Sequence, residues 1–372
     1  MDRVPGVSSA AGFSARRLRD LTVTIVLASL GGVLANALAL PVAWLIGPVI
    51  TVSIASFAGI DTRLPTPVQT AVFFVLGIQA GSGVSPAIAQ QIALWPLSFA
   101  IQLSGVGLTI ILCYGFLRRI LNFDHPSALF ASLPGALSFV VAAASETKGD
   151  LGQIIVIQSI RLLMLIGALV PLLAALEGTG PMGAAVRASP DGSLFDFLSL
   201  FALCAVPAML ASKLKLPGGM MLGALIGSAI VHGTNIAIVS LPAELAIPSL
   251  ILLGILVGSR LNGIDGKAFL RLLLPALSCF ALSLVGMGLA GLAAVKLAGL
   301  PAPNVALAYA PGALEALTVL AFQFKIDPAY VAAHHVIRFI AIATLVPFLA
   351  RRIALKEARA ASLKEAMNPQ DG

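Results

Sequence analysis

Glu315, His334, His335 and Arg338 are ionisable side chains set in sequence otherwise as apolar as a lipid-spanning helix. Such groups are costly at membrane depth, where they mark solute pathways, proton relays and paired sites. Pro311-Gly312 stands just before Glu315 and cannot continue a regular helix. Proline lacks the N–H and clashes with the preceding turn, while glycine eases unwinding. The carbonyls freed by such a break survive in a membrane only inside protein or beside water. The chemistry predicted is an ion or substrate site on unwound backbone. Glu315 is its proton carrier or cation ligand, and one histidine a relay or a substrate contact. His334 and His335 are neighbours and leave a helix about 100° apart, so a shared metal is not expected.

The same stretch has a weaker copy. Pro134, Gly135, Ala136, Leu137, Ser138, Asp150, Gln158 and Arg161 each stand 177 residues before a counterpart, and Pro171 stands 176 before Pro347. A constant offset over many matched positions is the mark of internal duplication. Ser138 and Gln158 occupy the places of Glu315 and His335, so the halves share a framework and differ in chemistry. Arg161 and Arg338 could snorkel, cap carbonyls of the broken segments or hold an anion. Asp150 and Asp327, each 11 residues earlier, favour a framework role for the two arginines.

These groups must be positioned by membrane helices. The chain has 372 residues, 59% of them hydrophobic and 10% charged, with a mean hydropathy of +1.01, which excludes a soluble globular class. The net charge of +7 is scattered between apolar blocks, the pattern of loops that hold topology, so no direct nucleic-acid partner is expected. Cys113, Cys204 and Cys279 lie in apolar segments without metal-ligand spacing and read as small hydrophobes. There is no P-loop, no Gly-rich dinucleotide fingerprint after a strand, and no CxxC, HExxH or GxSxG. Neither an enzyme nor a cofactor is therefore expected.

Apolar spans are predicted near 21–40, 42–60, a shorter third containing 74–81, 94–117 and 151–175. The second half repeats this order, with spans 194–216, 272–295 and 329–349 and with Leu216-Pro217 matching Leu40-Pro41. Gly77 and Gly81, matched by Gly254 and Gly258, give flat strips for close helix packing. The division expected is a cytoplasmic segment 1–20, repeat one over 21–176, a linker 177–193, repeat two over 194–350 and a frayed cytoplasmic tail 351–372. If the broken segments are re-entrant, the repeats are inverted, and Arg16, Arg118, Lys213, Lys215, Arg260, Lys267, Arg271 and Arg351 all fall inside. The positive-inside rule favours that arrangement. The fold expected is all-α: a polytopic integral membrane protein of two inverted repeats, each with five crossings and one Pro-Gly-broken segment.

The duplicated Pro-Gly-Ala-Leu stretch, the run Asp-Pro-Ala-Tyr-Val-Ala-Ala-His-His-Val-Ile-Arg from Asp327 to Arg338, and the blocks at 41–48 and 75–81 resemble the membrane-embedded AbrB-duplication family of bacteria. The resemblance spans about 21–352 and departs from the pattern at Ser138 and Gln158. It implies a multi-pass protein of the bacterial inner membrane, carrying labels of transcriptional regulator or ammonia monooxygenase. Neither a DNA-binding domain nor a copper or iron ligand set is visible behind those labels. The family also looks distantly like the cation-proton antiporter and bile-acid symporter group, an architectural analogy. The functional expectation is a secondary-transporter-like protein with a proton- or cation-coupled site at the broken helices. The alternative is a membrane-embedded regulator acting indirectly on gene expression. The partners expected are the lipid bilayer and a small solute or ion, and the glycine-lined spans permit a homodimer.

Overall fold

The computed structural model describes residues 15–84, 92–135, 137–177, 194–234, 236, 239 and 241–367. The N-terminal stretch 1–14, nearly all of the expected linker and the Ser138 side chain lie outside the described residues. Every regular element described is helical. The first half holds α1 (Ala15–Ala37), α2 (Ala43–Phe57), α3 (Thr66–Gly81), α4 (Trp95–Gly115), α5 (His125–Ser132), α6 (Leu137–Ala144) and α7 (Leu151–Glu177). The second follows with α8 (Leu194–Lys213), α9 (Gly219–Gly233), α10 (Ala243–Gly258), α11 (Gly266–Ala298), α12 (Ala302–Tyr309), α13 (Leu314–Gln323) and α14 (Pro328–Met367).

Among the described residues seven helices, α1, α4, α7, α8, α10, α11 and α14, are long and apolar enough to cross a membrane. The chain is therefore a multi-pass membrane protein. The apolar helices α2, α3 and α9, of 15 to 16 residues, pack among them.

Packing links the halves crosswise. α1 lies on α2 and α8 on α9, but α2 also packs on α10 of the other half, and α3 on α9. Glycine makes both cross-contacts close. A Cβ on Gly77 would collide with Met221 O and one on Gly81 with Leu225 O, while a Cβ on Gly254 would come within 2.9 Å of Leu45 O. Ser228 Oγ donates to Ile78 O across the first contact at 2.7 Å. Behind these, α4 crosses α11 with Gly105 against Ala290 and Gly286 against Thr109.

The broken segments are short helix pairs. In the first, the Asp124 side chain accepts from Ser127 N at 2.8 Å and starts α5, a standard N-cap. After α6 the chain returns to that point. Asp150 N donates to Ser127 Oγ at 2.7 Å, and Gly149 lies against Pro126. The pair α5–α6 is thus a hairpin with both ends together. In the second, α13 runs from the break to Phe322, whose ring packs against Gly83 just beyond α3.

The tail differs from expectation. The expected frayed end is instead a continuation of α14 to Met367, making one helix of 40 residues. Residues 351–367 are rich in Ala, Leu, Lys, Arg and Glu and contain neither Gly nor Pro, so helix propensity carries the element past the apolar span. Glu357 in this extension accepts a hydrogen bond from Lys148 N at 3.2 Å.

Candidate functional site

Each break exposes carbonyls that a continuous helix would have used. In the first half α7 supplies the donors: Gln158 Nε2 reaches Phe130 O at 3.0 Å, and Arg161 Nη2 reaches Leu133 O at 2.7 Å. In the second half α14 does the same. His335 Nε2 reaches Leu307 O at 3.2 Å, Arg338 Nη1 reaches Ala310 O at 2.7 Å, and Arg338 Nη2 reaches Gly312 O at 2.6 Å. Two aspartates start the helices that carry these donors. Asp150 Oδ1 accepts from Gln153 N at 3.0 Å, and Asp327 Oδ1 accepts from Ala329 N at 2.9 Å.

Arg338 Nη2 also lies 2.6 Å from His335 Nδ1. Arginine carries donors only, so Nδ1 must be the accepting nitrogen, and the ring proton sits on Nε2, facing Leu307 O. Both ring nitrogens of His335 are therefore engaged, and Gln158 makes in the first half the carbonyl bond that His335 Nε2 makes in the second. His334 points elsewhere. Its Nδ1 donates to Tyr330 O at 2.8 Å, so its Nε2 accepts from Ser98 Oγ at 2.8 Å. Ser98 Oγ in turn accepts from Tyr330 OH at 2.7 Å, and Tyr309 OH donates to Ser98 O at 2.6 Å. With the rings of Trp95 and Phe99 around it, this knot encloses His334.

The two breaks meet at one cavity of about 350 Å³. Pro134, Gly135, Gln158 and Arg161 line it from the first half, and Pro311, Gly312, Glu315, His335 and Arg338 from the second. Gly135 holds φ +97°, a conformation glycine alone adopts readily, and a Cβ there would lie 4.0 Å from Arg338 Nε. Gly312 is instead fixed by space, since a Cβ would collide with Leu165 of α7. The structure thus gathers nine of the sequence candidates; His334 is not on this cavity.

Sequence reasoning missed two charged members of the wall. Lys215, in the turn between α8 and α9, and Arg260, after α10, are exposed side chains that line the cavity. Their charge was legible only as a topology signal. Their position depends on the turn at Leu216-Pro217-Gly218, which also lines the cavity and lies against Leu314 and Glu315. Among the described residues four basic side chains thus surround the space against one carboxylate, Glu315. None of the five forms an ion pair among the described residues.

Fold and site define a helical multi-pass membrane protein in which two interrupted helices converge on one basic cavity. Residues 44–354 match the family model AbrB, described as transition state regulatory protein AbrB, and the chain belongs to that family. It is 28% identical over 326 residues to the Escherichia coli (strain K12) protein named "Putative regulator AbrB", covering 86% of this chain and 92% of that one. It is 23% identical over 354 residues to "Uncharacterized protein YhjN" of Bacillus subtilis (strain 168), covering 89% of this chain and 92% of that one.

Proposed function

We propose that the protein is a secondary transporter of the bacterial inner membrane, built as two inverted repeats, whose solute site lies at the two helix breaks. The observation that carries this reading is the convergence of both breaks and their arginines on one cavity. Discontinuous helices paired across a repeat interface are a recurring design for solute sites in transporters.

The duplication is supported by matched hydrogen bonds, and its inversion by the hairpin ends. Gln158 to Phe130 and His335 to Leu307 both span 28 residues, as do Arg161 to Leu133 and Arg338 to Ala310. Hairpin α5–α6 returns beside Glu357, late in α14, whereas α13 ends at Gln323, just before α14 begins. At 1.5 Å per residue those two places are roughly 40 Å apart along α14, more than the hydrocarbon thickness of a bilayer.

Coupling is assigned to Glu315. Among the described residues it is the one acidic side chain on the cavity, half-buried, while both ring nitrogens of His334 and of His335 are already bonded. Glu315→Gln abolishes pH-dependent uptake or efflux in membrane vesicles; unchanged transport in that variant overturns the assignment. In this reading the protein is not an enzyme, needs no cofactor or nucleic acid, and works with the bilayer and a small solute or ion. Pairing of two copies is compatible with it through faces other than the glycine strips, which the chain's own helices cover.

The second reading, a membrane-embedded regulator acting indirectly on gene expression, draws on the name of the Escherichia coli relative. A deletion strain whose transcriptome is unaltered under several stresses counts against it.

A further inference from the structure

The two arginines at the breaks are not equally occupied. Arg338 spends its guanidinium on two carbonyls and on His335. Arg161 is as deeply buried, with 2% of its surface exposed, yet among the described residues it makes one bond, to Leu133 O, and its Nη1 has no partner. A guanidinium donor buried without an acceptor is costly, and the matching arginine, whose Nη1 and Nη2 are both bonded, shows that the framework role does not require one. The difference arises at the neighbouring side chain: His335 offers Nδ1 to Arg338, while no hydrogen bond joins Gln158 to Arg161. Arg161 lines the same cavity as Lys215 and Arg260, so the free donor sits in a basic field with a charged approach from the surface.

We infer that the solute bound between the breaks is a small oxyanion, with a carboxylate or phosphate-type group seated on the Arg161 guanidinium. A planar guanidinium presents paired donors that match two oxygens of such a group. Lys215 and Arg260 raise its local concentration at the mouth of the cavity. This inference rests on the reading of the cavity as a solute site, and it names the class of solute.

The test is unfolding temperature of the purified full-length protein in a non-ionic maltoside detergent, which removes lipid phosphate as a source of the anion. Choline phosphate, choline acetate and choline succinate are titrated at matched ionic strength, with choline chloride as the cation control. The expected result is a saturable rise with at least one of the three anions and none with choline chloride. Arg161→Gln then raises the half-saturating concentration about tenfold or more, the loss of a charge-assisted contact. Should that variant fail to fold, the double variant Lys215→Gln/Arg260→Gln, at exposed positions, reads the same cavity. It keeps the anion-free unfolding temperature and weakens anion stabilisation several-fold at low salt. Absence of stabilisation by all three anions, stabilisation by choline chloride as well, or undiminished stabilisation in the variants overturns the inference. Anion binding without any transport in vesicles would sink the transporter reading and leave the anion site standing; transport without anion binding would do the reverse.

Discussion

At the scale of single residues, the division of labour between Gln158 and His335 makes a sharp forecast. Both donate one N–H to a carbonyl in the last turn before a break, and His335 adds an acceptor for Arg338. His335→Gln therefore keeps the Leu307 bond but gives up the acceptor for Arg338, so it lowers the unfolding temperature by less than His335→Leu does. His335→Leu leaves Leu307 O and one Arg338 donor buried without partners, at about 1 to 3 kcal/mol for each group. A His335→Gln variant as unstable as His335→Leu would show that the acceptor, not the donor, is what the site needs. The 177-residue offset let the carbonyl-capping arginines and the aspartates be placed as a framework from sequence. It could not place His334, because Ser98 lies 236 residues away and has no ionisable group to draw attention to it.

At the scale of elements, the glycine strips were legible from spacing alone, but not the helix each one meets. Gly81 has the backbone of α9 where a Cβ would go, whereas Gly107 in α4 has nothing within 4 Å. Gly81→Val must push α3 from α9 and costs about 1 to 3 kcal/mol or more, since backbone cannot repack as a side chain does. Gly107→Ala is neutral or slightly stabilising, helped by the better helix propensity of alanine. Comparing the two unfolding temperatures separates packing from propensity; equal losses would contradict the crossing described here. Asp150→Ala removes an N-cap from α7 and costs about 1 kcal/mol, while Asp150→Asn, which keeps an acceptor oxygen, costs less. The helical tail beyond Arg351 escaped sequence reading because hydropathy marks where a span leaves lipid, not where hydrogen bonding stops.

At the scale of the whole molecule, the side of the membrane on which each hairpin closes is the decisive variable. Single cysteines at Lys148, Arg260 and Lys325, in a background without Cys113, Cys204 and Cys279, report it directly. The inverted arrangement expects labelling from outside at 325 and not at 148 or 260. Outside labelling at 148, 260 and 325 together would mean parallel repeats and remove the basis for the Glu315 site. Composition made the helical, multi-pass class readable, which the seven long apolar helices bear out. The cavity was not readable, because it is closed by turns whose approach to the breaks depends on tertiary packing. The crosswise pairing of α2 with α10 and of α3 with α9 also bears on biosynthesis. When α2 and α3 leave the ribosome, the helices that will cover their glycine-fitted faces have not yet been translated. The first half must wait in the bilayer with those faces against lipid or an insertion factor, so a chain truncated at the linker would be inserted but left half-assembled, a natural substrate for membrane quality-control proteolysis.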